Sequence, residues 1–219
     1  MDLYAAMRTT GAVRQFTDDP LPDEALERIL DHARFAPTGG NRQGVRVIVI
    51  REHATRAALA ELSLPGARRY VAQQQHGEGP WSPVHPTALS EGQLASAEVP
   101  AAMTAPLFDA AVVLVICVDL SVVAAIDQEL PRVGLVAGAS VYPFAWSVLL
   151  AARNEGFGGV LTTMAVAEES RVKQLLGIPE RYAVAAVLPL GKPRHQVRRL
   201  TRKPVSALAT RERFDGASL

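Results

Sequence analysis

A chain of 219 residues, 48% hydrophobic and 21% charged, is long enough for one domain with its own core and too apolar to stay disordered. Its 23 Lys plus Arg nearly cancel its 22 Asp plus Glu, leaving a net charge of +1, which excludes the broad basic footprint of a nucleic-acid binder. Positive charge does collect locally, in residues 192–203.

Residues 2–9 predict a short helix with Leu3, Ala6 and Met7 on one face, followed by an irregular stretch punctuated by Pro20 and Pro22. A second helix begins at Pro22, where Asp23 and Glu24 suit the positive end of the helix dipole. Its apolar positions Ala25, Leu26, Ile29, Leu30 and Ala33 recur at three and four residues, and Pro37 with Gly39-Gly40 stops it. Residues 45–50 are mostly β-branched and predict a strand, and residues 52–62 predict a helix. Residues 65–106 carry Pro65, Pro80, Pro83, Pro86, Pro100 and Pro106, too long a stretch for a plain loop; a lid or partner-contacting excursion is expected, with a few helical turns at most.

Residues 110–120 read as a continuous apolar strand, buried on both faces and containing Cys117. This lone cysteine excludes an intrachain disulfide; a buried structural thiol is expected, and a reducing cytoplasm suits it. Residues 134–154 predict a long central helix, apolar nearly all round and kinked at Pro143. A short strand at 160–163, a helix at 168–176 closed by Gly177 and Pro179, and a last core strand at 182–190 complete the pattern before the basic tail. No apolar run reaches the ~20 residues that span a bilayer, and residues 1–10 lack the apolar stretch of a signal peptide, so a soluble chain without membrane partners is expected. Helices interleaved with about four buried strands give an α+β or α/β architecture, one sheet covered by helices. A single domain over residues 1–219 is expected, with the excursion at 65–106 and an arm at about 200–219.

The usual catalytic sets are missing from the sequence. There is no G-x-S-x-G elbow, no C-x-x-C and no H-E-x-x-H, and the five histidines have no metal-ligand spacing. Gly156-Phe157-Gly158-Gly159 lacks the full dinucleotide-binding spacing and follows a helix, which argues against a Rossmann fold.

Three separated stretches remain, and together they carry a resemblance. Arg8-Thr9-Thr10-Gly11-Ala12-Val13-Arg14-Gln15-Phe16 resembles the R-R-S-x-R-x-F amino-terminal signature of the nitroreductase family. Ala36-Pro37-Thr38-Gly39-Gly40-Asn41-Arg42-Gln43, between a helix and a strand, is similar to that family's A-P-S-x-x-N-x-Q. The order Leu150-Ala151-Ala152, Gly156, Gly158-Gly159, Leu176-Gly177-Ile178-Pro179-Glu180 and Leu190-Gly191-Lys192-Pro193 resembles its carboxy-terminal half. The sequence departs from the family in three places. Gly11 and Ala12 replace its second arginine and its serine, its first arginine falls on Thr10 unless a small shift brings in Arg8, and Gly44-Val45 replaces its Pro-Trp.

The resemblance implies a three-layer α/β/α fold with a central, mainly antiparallel sheet, in an intertwined homodimer with FMN at the subunit interface. It implies an FMN-dependent oxidoreductase that carries hydride from NAD(P)H through flavin N5 to a nitroaromatic, quinone or related small-molecule acceptor. The cofactor-binding set it suggests is Arg8, Thr10, Gly11, Ala12, Arg14, Pro37, Thr38, Gly39, Asn41, Gln43, Leu161, Thr162, Thr163, Met164, Arg199 and Arg202. Guanidinium groups suit a phosphate because they give paired, charge-assisted hydrogen bonds; Arg202, Arg8 or Arg14, and secondarily Arg199 are the candidates. Arg14 has a second role open to it, as the cation near flavin N1 and the C2 oxygen, against the alternative of an ion pair with Asp18 or Asp19. Thr38 and Gly39 offer a hydroxyl and close backbone approach, Asn41 braces the turn, and residues 161–164 pass the N5 edge. Trp81 is placed to stack on an aromatic acceptor or to pack locally. No general acid or base is required where the flavin carries the redox chemistry. Alternatives are a flavin-dependent dehalogenase, ring oxidase or oxygen-dependent flavin-fragmenting enzyme, a protein that sequesters FMN without turnover, and an α/β binding domain of unknown ligand.

Overall fold

The computed structural model describes residues 1–219. Its centre is a four-stranded sheet of β1 (Val45–Ile50), β2 (Val112–Asp119), β3 (Gly158–Gly159) and β4 (Tyr182–Gly191). The spatial order is β1-β2-β4-β3, and every neighbouring pair is antiparallel. β2 is buried along its whole length, as its unbroken apolar run requires. Because side chains alternate across a strand, Val112, Leu114, Ile116 and Val118 face one core cluster while Val113, Val115 and Cys117 face the other. Burial pushes the Cys117 thiol up to about 11.

Helices cover both faces and make three layers. On one side α2 (Asp23–Ala33) contributes Leu26, Ile29 and Ala33, and α6 (Tyr142–Asn154) contributes Phe144, Ala145, Val148, Leu149 and Ala152. On the other side lie α3 (His53–Gln75) with Leu59 and Leu62, α5 (Ala105–Asp109) with Leu107, and α7 (Glu169–Leu176) with Val172. The expected α+β class and mainly antiparallel sheet are present. Capping follows the sequence. The Asp2 carboxylate accepts the Ala5 N–H at 3.0 Å to start α1 (Leu3–Thr9), and Gly177, at φ 64°, closes α7 in the left-handed conformation that glycine adopts freely.

Three expectations need correction. The helix expected at 52–62 runs from His53 to Gln75 straight through Pro65. The proline removes one helical hydrogen bond, a local cost that the buried residues on both sides of it, Leu62, Ala67, Val71 and Ala72, outweigh. The excursion therefore shortens to the segment after Gln75, which itself holds α4 (Glu91–Ser96), started by a reciprocal Ser90–Gln93 cap. The helix expected at 134–154 begins only at Tyr142. Residues Val136–Ser140 form a separate 3-10 turn, and Pro143 sits in the first turn of α6, where its missing N–H is not needed and no kink follows. Only one face of α6 is core; Tyr142 and Trp146 are exposed. The strand expected at 160–163 is displaced to Gly158–Gly159, with a single bridge between Thr162 and Val187.

Candidate functional site

The amino-terminal stretch and the basic tail lie side by side at one end of the sheet. The Val13 N–H donates to the Gly159 carbonyl at 2.8 Å, Phe16 bridges Pro193, and the Arg194 N–H donates to the Gln15 carbonyl at 3.0 Å. Glycines make this approach possible: a Cβ on Gly11 would stand 3.0 Å from Leu200 and 3.3 Å from Val197, and one on Gly158 would stand 2.8 Å from Val13. Arg8 ends α1, and Arg14 lies between the two paired residues Val13 and Gln15. Arg199 flanks Leu200, and Arg202 follows it by two residues. All four arginines are exposed, and none has a carboxylate within ion-pair reach. Arg202 donates only to the neighbouring Thr201 carbonyl, at 2.7 Å. Asp19, the alternative partner for Arg14, is instead held by the Thr17 hydroxyl at 2.7 Å and by Lys192 at 3.5 Å, which lower its pKa in that order. Thr10 is buried, its hydroxyl donating to the Ala6 carbonyl at 2.7 Å, while Ala12 is exposed.

The second stretch forms a self-braced corner. Residues Gly39–Asn41 make a 3-10 turn in which Gly40 (φ 61°) and Asn41 (φ 52°) are left-handed, followed by a left-handed Gln43 (φ 51°). The Thr38 hydroxyl oxygen accepts the Gln43 N–H at 3.0 Å, and the Gln43 side chain donates to Asn41 Oδ1 at 3.2 Å. The Gly39 N–H donates to Ser140 Oγ at 3.1 Å, and Pro37 is exposed. Gly44 has a local reason. Its carbonyl accepts the Asp119 N–H at 2.8 Å, and a Cβ there would stand 2.7 Å from Val122.

Strand register separates these two stretches. The corner leads into Val45, which pairs with Val118 at the carboxyl end of β2; the basic strip abuts Gly159, beside Leu190, which pairs with Val112 at the other end. Six strand residues at ~3.4 Å each put roughly 20 Å between the two positions. One copy of the chain therefore presents the arginines and the Thr38 corner at opposite ends of its sheet.

The third stretch lines a cavity. Leu161 packs on the core, Thr162 exchanges backbone hydrogen bonds with Val187 at 3.0 and 2.8 Å, and Thr163 and Met164 face a cavity of about 720 Å³. Tyr70, Trp81, Tyr142 and Ala185 share its wall. Ala185 is the extra residue of a bulge in β4, since Ile116 pairs with Ala186 and Cys117 with Val184. Glu169 takes up the Val184 N–H there, at 2.6 Å. Gly66 on α3 is what seats this segment, because a Cβ on it would overlap the Met164 carbonyl oxygen. Sequence reasoning named none of Gly66, Tyr70, Tyr142 or Ala185: Gly66 and Tyr70 fall in the stretch expected to be an excursion, and Tyr142 lies inside an apolar run. A larger groove of about 1010 Å³ lies between α2 and the unpaired edge of β1; apolar residues such as Leu26, Val47 and Phe144 line it together with Thr38, Gln43 and charges of both signs, the carboxylates of α2 and Arg28 and Arg34.

No three His, Cys, Asp or Glu side chains are grouped to hold a metal, and no helix is long and apolar enough to cross a membrane. An antiparallel sheet between two helical layers defines an α+β domain, with arginines lacking acidic partners at one end of the sheet and a cavity beside β4. The chain belongs to the nitroreductase family, whose model matches residues 7–192. It is 26% identical over 202 residues to an NADH dehydrogenase of Thermus thermophilus, covering 88% of this chain and 87% of that protein. The NADPH:FMN oxidoreductase of Vibrio harveyi complexed with NAD+ superposes with a TM-score of 0.67 at 21% identity, over 97% of this chain and 78% of that one. Oxidised iodotyrosine deiodinase bound to FMN and 3-iodo-L-tyrosine superposes with a TM-score of 0.67 at 20% identity, over 93% and 96%. Family membership makes the chain an oxidoreductase; the solved structures share its fold.

Proposed function

We propose that the protein is a homodimeric, FMN-dependent NAD(P)H oxidoreductase that reduces nitroaromatic, quinone or related acceptors. The observation that carries this is the set of arginines without acidic partners beside the glycine-lined end of the sheet. Four exposed guanidinium groups without carboxylate partners leave positive charge unbalanced along this end of the sheet, which suits an anionic ligand. Arg202, Arg8 and Arg199 are assigned to the FMN phosphate, and Arg14 to the pyrimidine side of the ring. Thr10, Gly11 and Ala12 shape the backbone there, and Leu161, Thr162, Thr163 and Met164 border the redox edge. When bound, FMN supplies hydride acceptance and return at its N5. The chain's own residues bind and orient it, and no side chain has to act as general acid or base.

Two observations support the homodimer. Residues 201–219 contain no buried residue, Leu208 and Phe214 are almost bare, and Leu3 and Tyr4 on α1 are exposed. Apolar surface of that extent marks an interface, and an obligate dimer buries ~2,000 Å² or more. The separation of the arginines from the Thr38 corner is the second. Under this reading Pro37, Thr38, Gly39, Asn41 and Gln43 of one copy complete the site built on the arginines of the other. β1 is an edge strand, so its outer side is open to another chain. A reducing compartment, the cytoplasm, suits the unpaired buried Cys117.

The visible absorption spectrum of the purified protein tests the cofactor, and stopped-flow mixing with NADH and NADPH tests the reductant. Oxidised-flavin bands that bleach with one of the two are expected. A colourless protein that stays colourless with added FMN would overturn the proposal.

A further inference from the structure

Arg194 is a guanidinium braced at one end and uncommitted at the other. Its Nε donates to the Phe16 carbonyl at 2.7 Å, and its backbone N–H donates to the Gln15 carbonyl at 3.0 Å. The residue that braces it is itself fixed: Phe16 is 2% exposed, bridges Pro193 and packs so closely on Gly191 that a Cβ there would stand 2.9 Å from its ring. The two terminal Nη groups of Arg194 meet no acceptor of the protein and no carboxylate. Asp19, farther along the same stretch, is taken by Lys192 at 3.5 Å.

Arg194 opens a strip that has cations and no anions, since no Asp or Glu occurs between Glu180 and Glu212. Val197 and Leu200 turn inward onto Gly11, and the residues between them, Arg198 and Arg199, are exposed. Lys203 is exposed too, and no carboxylate pairs with it or with Arg198. A phosphate monoester such as that of FMN carries about 1.5 to 2 negative charges near neutral pH. The arginines already assigned to the flavin balance it, which leaves Arg194, Arg198 and Lys203 as surplus. The surplus lies beside the flavin arginines, because Arg194 pairs through its backbone with Gln15, the neighbour of Arg14.

We propose that this surplus chooses the reductant: Arg194 and Arg198 bind the 2′-phosphate of the nicotinamide dinucleotide, so NADPH is used in preference to NADH. The proposal rests on the oxidoreductase reading, which sets the flavin beside Arg14. The two dinucleotides differ by that single phosphate, and NADH has nothing there for these groups to hold. Guanidinium groups take phosphate oxygens through paired, charge-assisted hydrogen bonds, and one already braced loses less freedom on binding. Lys203 adds charge without fixing direction.

Calorimetric titration of the purified protein with adenosine 2′,5′-bisphosphate and with 5′-ADP tests this, the second being a control with the same number of phosphates and none at the 2′ position. The bisphosphate should bind about tenfold tighter, and its advantage should shrink as salt is raised. Arg194→Gln and Arg198→Gln should each cut that advantage several-fold, and Arg194→Lys should recover only part of it. In turnover the loss in Arg194→Gln should appear in KM for NADPH rather than in kcat, because the 2′-phosphate is remote from the hydride. Equal binding of the two nucleotides, or a preference that survives in both glutamine variants, would overturn the proposal. The titrations need no flavin chemistry, so failure of the oxidoreductase reading is registered separately, as a protein that takes up no FMN.

Discussion

Gly66→Ala sets two effects of known size against each other. Gly66 lies in the interior of α3, where alanine is favoured over glycine by about 1 kcal/mol. Yet its Cβ would fall inside the 3.0 Å that real Cβ atoms keep from the Met164 carbonyl oxygen, and would meet Ala167 Cβ at 3.3 Å. The obstacle is backbone rather than a flexible side-chain tip, so the upper end of overpacking costs applies, about 3 kcal/mol. The net loss is about 2 kcal/mol, which for a domain of this length lowers Tm by roughly 4–8 °C. Gly92→Ala is the matched control: Gly92 lies in α4 with open space around its Cβ position, so only the propensity gain remains and stability should hold or rise by up to about 1 kcal/mol. Thermal unfolding followed by circular dichroism reads both, and a flavin titration of Gly66→Ala reads the displacement of the Thr163–Met164 segment as weakened FMN binding. A Gly66→Ala protein as stable as Gly92→Ala, with flavin affinity intact, would refute the seating of that segment on α3.

Two further outcomes follow from the site and its neighbouring loop. Arg14→Ala and Arg202→Ala should each weaken FMN binding by about 10- to 100-fold, the worth of a hydrogen bond to a charged group, in a fluorescence titration; unchanged affinity in both would remove the arginines from the site. Asp127 accepts the Leu135 N–H and an Arg132 N–H, both at 2.7 Å, and these hold its carboxyl at about 2, below the ordinary 3.8. A depressed pKa gives stability that is complete above the ordinary value and fades as pH falls toward the folded one. Acid unfolding should therefore find Asp127→Asn less stable than the parent at neutral pH and level with it near pH 2, and equal stability at neutral pH would contradict this anchoring of the 120–136 loop.

Much of the fold was legible because its signals are local. Residues 45–50 are mostly β-branched and form β1 with those bounds, and α2 and α7 show three- and four-residue apolar spacing with suitable stop residues. Pro65 misled because proline is a breaker only when nothing else holds the helix; here burial on either side of it does. Residues 134–154 misled because apolar character does not distinguish a buried helix from a surface that awaits cover: Leu135, Tyr142 and Trp146 are apolar and exposed. Within the candidate site, the side-by-side placement of the amino terminus and the basic tail depends on Gly11 and Gly158, whose role is the absence of a side chain. Tyr70 and Trp81 line one cavity because the buried Gln73, whose burial no periodicity announces, accepts the Trp81 N–H at 2.9 Å.

The central claim is that arginines from one copy and the Thr38 corner of another build a single flavin site. Mixed dimers test it directly: one subunit carries Arg14→Ala with Arg202→Ala, its partner carries Gly39→Asp, and bound FMN is counted after each variant alone has been found unable to hold it. Sites shared between copies leave one intact combination, so about one flavin per heterodimer should return. If no flavin returns, each chain builds its site alone, and the shared-site account is wrong.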